Sequence, residues 1–243
     1  MTDYWIKGCL NGSRRPGDHP ALPLSPDQLA ADAERVVAAG AAAVHVHVRD
    51  GSGAQTMEGA HIAATVRAIR ARQPGLAVGI TTGAWIERDL ERRLALARGW
   101  TELPDFASVN FSEDGAAEFA RLLSDRGVGI EAGLWTVDDA RTLVAAGLHT
   151  HCTRVLLEPR EREPGAAIAL ARAMEAVLDE AGATAPRLLH GGGPAAWPVL
   201  RDALSRGLQT RIGLEDTLEL PDGTLTPGNA ELLAAAVAMA QSL

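Results

Sequence analysis

Short apolar runs and longer amphipathic runs alternate eight times along this chain, and that alternation constrains its fold more than any other feature. The apolar runs are residues 4–10, 42–48, 76–83, 105–110, 127–134, 152–158, 186–190 and 210–216. A strand buried on both faces reads as a near-continuous apolar run, whereas a helix that covers it shows an apolar stripe of period 3.6. Helices are predicted from Pro26 to Gly40 and near 58–72, 86–97, 115–126, 136–147, 164–182, 195–207 and 228–242. Ser25-Pro26 starts the first of them with a capping residue and a proline at the first helical position, and Thr136 caps the fifth. Strict alternation calls for parallel strands joined by right-handed crossovers. Eight such units in 243 residues fit the α/β class and a closed (β/α)8 TIM barrel, one domain over residues 1–243. The alternative is an open doubly wound sheet. No Gly-x-Gly-x-x-Gly follows the first strand, which weakens its dinucleotide-binding version.

Composition narrows the function. A net charge of −8 argues against nucleic acid or an anionic membrane as partner. Lys7 is the only lysine. Cys9 and Cys152 form no Cys-x-x-Cys pair and suggest free thiols in a reducing compartment. No leader-like start and no apolar run of membrane-spanning length is present, so a cytoplasmic protein is expected.

In a barrel the chemistry gathers at the C-terminal ends of the strands. Those ends carry Asn11 and Gly12, His45 and His47, Thr81-Thr82-Gly83, Ser108 and Asn110, Glu131, Glu158, His190, and Arg211 with Glu215-Asp216. Polar groups there are costly unless paired or used. His45 and His47, two apart on a strand, face the same side. Two imidazoles at one strand end suit zinc, which in catalytic sites takes three protein ligands and keeps a position open. From the residues alone the third ligand could be Glu131, Glu158, His190, Glu215 or Asp216. In residues 211–216, Arg211, Gly213 and Glu215 are expected to alternate on one strand face, with Asp216 at the turn. One carboxylate could then hold a metal while its neighbour moves a proton, with Arg211 keeping an acid ionised. The Thr81–Gly83 turn and Ser108–Asn110 offer donors for a substrate carboxylate. The backbone of His190-Gly191-Gly192-Gly193 could meet an anion. Arg49 and Asp50 are expected to pair with each other.

The His-Val-His-Val-Arg-Asp segment (45–50), the Thr-Thr-Gly turn (81–83), the Asn of Ser-Val-Asn (108–110) and Arg-Ile-Gly-Leu-Glu-Asp (211–216), in that order and spacing, resemble the β-keto acid cleavage enzymes. The resemblance runs through nearly the whole chain. It implies a zinc-dependent barrel that condenses a β-keto acid with acetyl-CoA and releases acetoacetate and a new acyl-CoA. It implies His45, His47 and Glu215 as metal ligands, Asp216 as base and Arg211 as its partner. It implies that Thr81, Thr82, Gly83, Ser108, Asn110 and Glu131 line the substrate pocket. It also implies a homo-oligomer, a tetramer in known members. Glu158 and His190 stand as reserve ligands. A family member that takes an amine-bearing substrate has an acidic residue in the first loop. Ser13 stands there in this chain, followed by Arg14 and Arg15, which points to a neutral or anionic β-keto acid. Where the family has a Gly-rich loop after strand six, this chain has residues 158–165, Glu-Pro-Arg-Glu-Arg-Glu-Pro-Gly, and a C-terminal extension of the family is not found. A barrel hydrolase of the amidohydrolase type and a non-catalytic metal-binding barrel are the competing readings. The hydrolase would carry its His-x-His pair on the first strand and histidines ending strands five and six, where this chain has Glu131 and Glu158.

Overall fold

Eight strands and eight helices alternate in the computed structural model, which describes residues 4–243. The strands are β1 (Ile6–Cys9), β2 (Ala43–Val46), β3 (Ala77–Thr81), β4 (Phe106–Asn110), β5 (Gly129–Leu134), β6 (Arg154–Leu157), β7 (Arg187–Leu189) and β8 (Thr210–Ile212). The helices are α1 (Pro26–Ala38), α2 (Gly59–Arg72), α3 (Leu90–Arg98), α4 (Ala116–Asp125), α5 (Val137–Ala145), α6 (Pro164–Glu180), α7 (Ala196–Ser205) and α8 (Asn229–Gln241). All strand pairs are parallel, in the order β7-β6-β5-β4-β3-β2-β1-β8. A single bridge, Leu188 to Gln209, joins β7 to β8 and turns the sheet into a barrel. Leu189 N–H donates to Gln209 O at 2.9 Å and Thr210 Oγ1 to Leu189 O at 2.8 Å across that seam.

Local chemistry sets the helix starts. Ser25 and Gln28 form a capping box ahead of α1, and Thr136 and Asp139 form one ahead of α5. Glu163 accepts from Gly165 N and Ala166 N at the start of α6, with Pro164 at its first position. The third helix starts four residues later than the periodicity predicts. Asp89 caps it by accepting from Arg92 N at 2.9 Å, and residues 84–86 form a turn instead. Inward helix faces such as Leu29, Ala33 and Val36 of α1 pack on outward strand residues such as Val44 and Val46, and all five are fully buried. Among the described residues no helix is long and apolar enough to cross a membrane.

The barrel interior is polar in its N-terminal half. Lys7 Nζ on β1 reaches across to Glu131 on β5, and Arg154 Nη1 on β6 donates to the other Glu131 oxygen at 2.5 Å. Arg154 also lies over Trp5, 4.0 Å from the ring centroid, and donates from Nε to Gln209 at 2.5 Å. Lys7 and Glu131 are fully buried. Their ion pairs plug the barrel floor beneath the mouth.

Candidate active site

One cavity of about 390 Å³ opens at the C-terminal end of the barrel. His45 ends the inward row of β2, and His47 follows just past the strand. Their ring centroids are 5.4 Å apart with planes at 80°. Glu215 stands on the turn after β8, its Oε1 3.7 Å from His47 Nε2. Ligand atoms of His45, His47 and Glu215 all lie within 4.8 Å of one another. Gly12 makes room for this approach: its φ is +53°, and a Cβ there would lie 2.4 Å from Glu215 Cγ.

Neighbouring groups aim these side chains. Asn11 clamps the His47 backbone, accepting from its N–H at 2.8 Å and donating to its carbonyl at 2.9 Å. His47 Nδ1 meets Gln55 Oε1 at 2.7 Å, a contact in which Nδ1 donates, and this turns Nε2 toward Glu215. His45 Nδ1 and Glu215 Oε2 are buried without a hydrogen-bond partner among the described residues. Burial, reinforced by Lys7, His47 and Arg211, pushes His45 down to about 3, against the opposing pull of Glu215. Burial opposes ionisation of Glu215, but Arg211, His47 and His45 outweigh it and hold the carboxyl well below the usual range. Two imidazole nitrogens and an ionised carboxylate, with orphaned buried atoms on His45 and Glu215, make a donor set that fits a divalent metal.

The alternation of Arg211, Gly213 and Glu215 on one strand face does not occur. β8 ends at Ile212, and Asp216 N–H donates to Gly213 O at 2.9 Å, so Glu215 and Asp216 sit in a tight turn. That turn folds both carboxylates back onto Arg211. Arg211 Nη2 donates to Glu215 Oε1 and to Asp216 Oδ1, each at 2.9 Å, and Nε reaches Asp216 Oδ1 at 3.2 Å. Asp216 Oδ2 is buried and has no partner among the described residues. His190, ending β7, has Nδ1 3.5 Å from Asp216 and Nε2 3.6 Å from Glu158. Burial and Arg211 lower the His190 pKa, yet Glu158 and Asp216 outweigh them and raise it. Glu158 is opposed by burial but drawn down to about 2 by His190 and Arg211. The reserve ligands Glu158 and His190 thus pair with each other and stay outside the triad.

Ser13, Thr81, Ser108 and Asn110 line the cavity beside His45, His47, Arg211, Glu215 and Asp216. Thr82, Gly83 and Glu131 do not. Thr82 turns outward to donate to Ser108 O at 2.7 Å. Gly83 is covered by Trp85, whose ring lies 2.2 Å from where a Cβ would stand. Glu131 is a member of the buried floor, since the position three residues short of the end of β5 points below the mouth. Arg49 and Asp50 do not pair. Arg49 ties the carbonyls of Gly12, Arg14 and Gly53, and Asp50 closes its own turn through Ser52 and Ala54. Gly193 N–H donates to Asp216 O at 2.7 Å, so it fastens two loops and is not free for an anion. Sequence reasoning missed Gln55, Trp85 and Trp135 and passed over Arg160 and Arg162. All five lie on loops, where no periodicity marks a residue as facing inward. Gln55 is placed by its bridge to Arg49, and Trp85 by the turn before α3, where it stacks on His47 at 6.2 Å.

This chain is 24% identical to the 3-keto-5-aminohexanoate cleavage enzyme of Fusobacterium nucleatum subsp. nucleatum, over all of this chain and 93% of that one. Among solved structures, the ternary complex of ObcA with a C4-CoA adduct and oxalate superposes with a TM-score of 0.71 at 19% identity, covering 88% of this chain and 62% of ObcA. The binary complex of ObcA with oxaloacetate gives 0.70 over the same shares. The chain therefore spans less than two thirds of ObcA. The 3-dehydroquinate dehydratase of Geobacillus kaustophilus HTA426 gives 0.63 at 12% identity, over 98% and 91% of the two chains. These structural likenesses establish the barrel. The sequence profile of the family described as beta-keto acid cleavage enzyme matches residues 4–243, and the chain belongs to that family.

Proposed function

We propose that the protein is a zinc-dependent enzyme that condenses a β-keto acid with acetyl-CoA and cleaves the product to acetoacetate and a new acyl-CoA. The observation that carries this reading is the junction at Arg211. One guanidinium holds both Glu215, which belongs to the metal-competent triad, and Asp216, which has a free buried oxygen. When bound by His45, His47 and Glu215, zinc supplies Lewis acidity toward the keto and carboxylate oxygens of the substrate. Asp216 Oδ2 takes the proton from the carbon between the two carbonyls. That carbon attacks the thioester carbonyl of acetyl-CoA and releases the CoA thiolate. The thiolate adds to the original keto carbon, the C–C bond breaks, and Asp216 returns the proton to the departing acetoacetate carbon. Thr81, Ser108 and Asn110 orient the substrate carboxylate, and Ser13 faces its distal end. The oxaloacetate, oxalate and C4-CoA adduct bound by ObcA support a β-keto acid and a CoA thioester as reactants. We place the whole of residues 1–243 in one domain, and the enzyme in the cytoplasm as a homo-oligomer, a tetramer by family analogy.

The test is a panel of β-keto acids with acetyl-CoA, followed by acyl-CoA products in mass spectrometry and by acetoacetate release. Metal analysis of the same preparation is expected to give one zinc per chain, lost together with activity in a His45→Ala/His47→Ala variant. Hydrolysis of amides or esters without action on any β-keto acid would assign the site to a hydrolase instead.

A further inference from the structure

The charged groups lining the cavity divide into an ion-paired set and an unpaired one. Glu158, Glu215 and Asp216 face Arg211, and each also faces a histidine or shares that guanidinium closely. Arg160 and Arg162, on the loop between β6 and α6, line the same cavity. Among the described residues neither has a carboxylate within ion-pair distance. Of the acids beside them, Glu158 is held by His190 and Glu163 by the first backbone N–H groups of α6, while Glu161, between the two arginines, pairs with neither. Arg160 lies over Trp135, with its guanidinium carbon 3.2 Å from the ring centroid. A guanidinium held over an aromatic ring keeps N–H groups at its edge for an anion. Trp135 lines the cavity as well, and its indole N–H is a buried donor without a partner among the described residues.

We propose that Arg160, Arg162 and Trp135 form an anion subsite for a second carboxylate, at the distal end of the β-keto acid, so that the substrate class is β-keto dicarboxylic acids. This rests on the reading given under Proposed function, which fixes the other end of the acid at the triad. A planar, stacked guanidinium presents two parallel N–H groups that match the two oxygens of a carboxylate. The phosphates of CoA are the other anions in the reaction. They sit at the far end of a long flexible arm from the thioester, whereas Arg160 and Arg162 share one small cavity with the triad.

The test uses the metal-loaded enzyme and two β-keto acids of equal chain length, one with and one without a terminal carboxylate. Calorimetric binding without acetyl-CoA is expected to favour the dicarboxylate by about 10–100-fold, the range for hydrogen bonds to a charged group. The R160Q/R162Q variant is expected to lose that preference, and the R160K/R162K variant to keep part of it, with KM for acetyl-CoA unchanged in both. Equal binding of the two acids by the unaltered enzyme overturns the proposal, as does a preference that survives R160Q/R162Q. A rise in KM for acetyl-CoA with the preference intact assigns the arginines to the CoA phosphates and also overturns it. A binding preference without turnover of either acid supports the anion subsite and refutes the cleavage reaction. Turnover of both acids without the preference does the reverse.

Discussion

Asp216→Asn is expected to lower turnover by about 10²–10⁴-fold, the usual consequence of removing a general base, while the metal stays bound. Asparagine keeps the shape of the side chain and can still present an oxygen to Arg211. What it loses is the Oδ2 lone pair, the one buried carboxylate oxygen of Asp216 without a partner. The metal content is expected to hold because Asp216 is not one of the three groups whose ligand atoms converge. Arg211→Ala provides the contrast. Arg211 Nη2 donates to Glu215 as well as to Asp216, so its removal is expected to weaken metal retention and turnover together, by about 10–100-fold in metal affinity for the loss of such an orienting partner. Metal analysis alongside steady-state rates separates the two variants. Wild-type turnover in Asp216→Asn would remove Asp216 from the mechanism.

Glu131→Ala is expected to destabilise the fold by about 3–5 kcal/mol, the cost of leaving buried charges without their counter-ion. Lys7 has no exposure and Arg154 little, and both direct donors at Glu131. Removing the carboxylate leaves two cations facing each other in the barrel floor. The effect has a pH signature. Burial raises the Glu131 pKa, but Lys7 and Arg154 outweigh it and bring the folded value below the ordinary glutamate range. A depressed carboxylate contributes stability above its unfolded pKa and loses it as pH falls through the folded value. The gap between wild type and variant in urea unfolding is therefore expected to be full at neutral pH and to shrink in acid. If Glu131 instead contacted substrate, the variant would keep its stability and raise KM.

The barrel was legible in the sequence because its physical basis is local and repeated. Each strand buried on both faces must be apolar, and each covering helix must carry a stripe, so eight repetitions of that pattern leave little freedom. Caps at Ser25 and Thr136 could be read for the same reason: they act over three residues. The shared face of His45 and His47 followed from their strand-end positions, while Glu215, one of five candidates by position, was singled out by the family resemblance.

Depth and partnership were decided only by the tertiary structure. Glu131 looks like a mouth residue in sequence, yet the stagger of the strands sets it level with Lys7, 124 residues away, where it is an ion-pair partner and no part of the cavity. The turn that folds Glu215 and Asp216 back onto Arg211 could not be told from a continuing strand, because it depends on β8 ending at Ile212. Arg160 and Arg162 lie on a loop, where no periodicity marks a residue as facing inward. Only folding shows that Glu158 and Glu163 are taken by His190 and by the start of α6, that Glu161 pairs with neither arginine, and that both arginines line the cavity. Sequence periodicity determines which elements form and which way their faces point. Which charge meets which partner depends on strand register and loop path, and those are set by contacts between residues far apart in the chain.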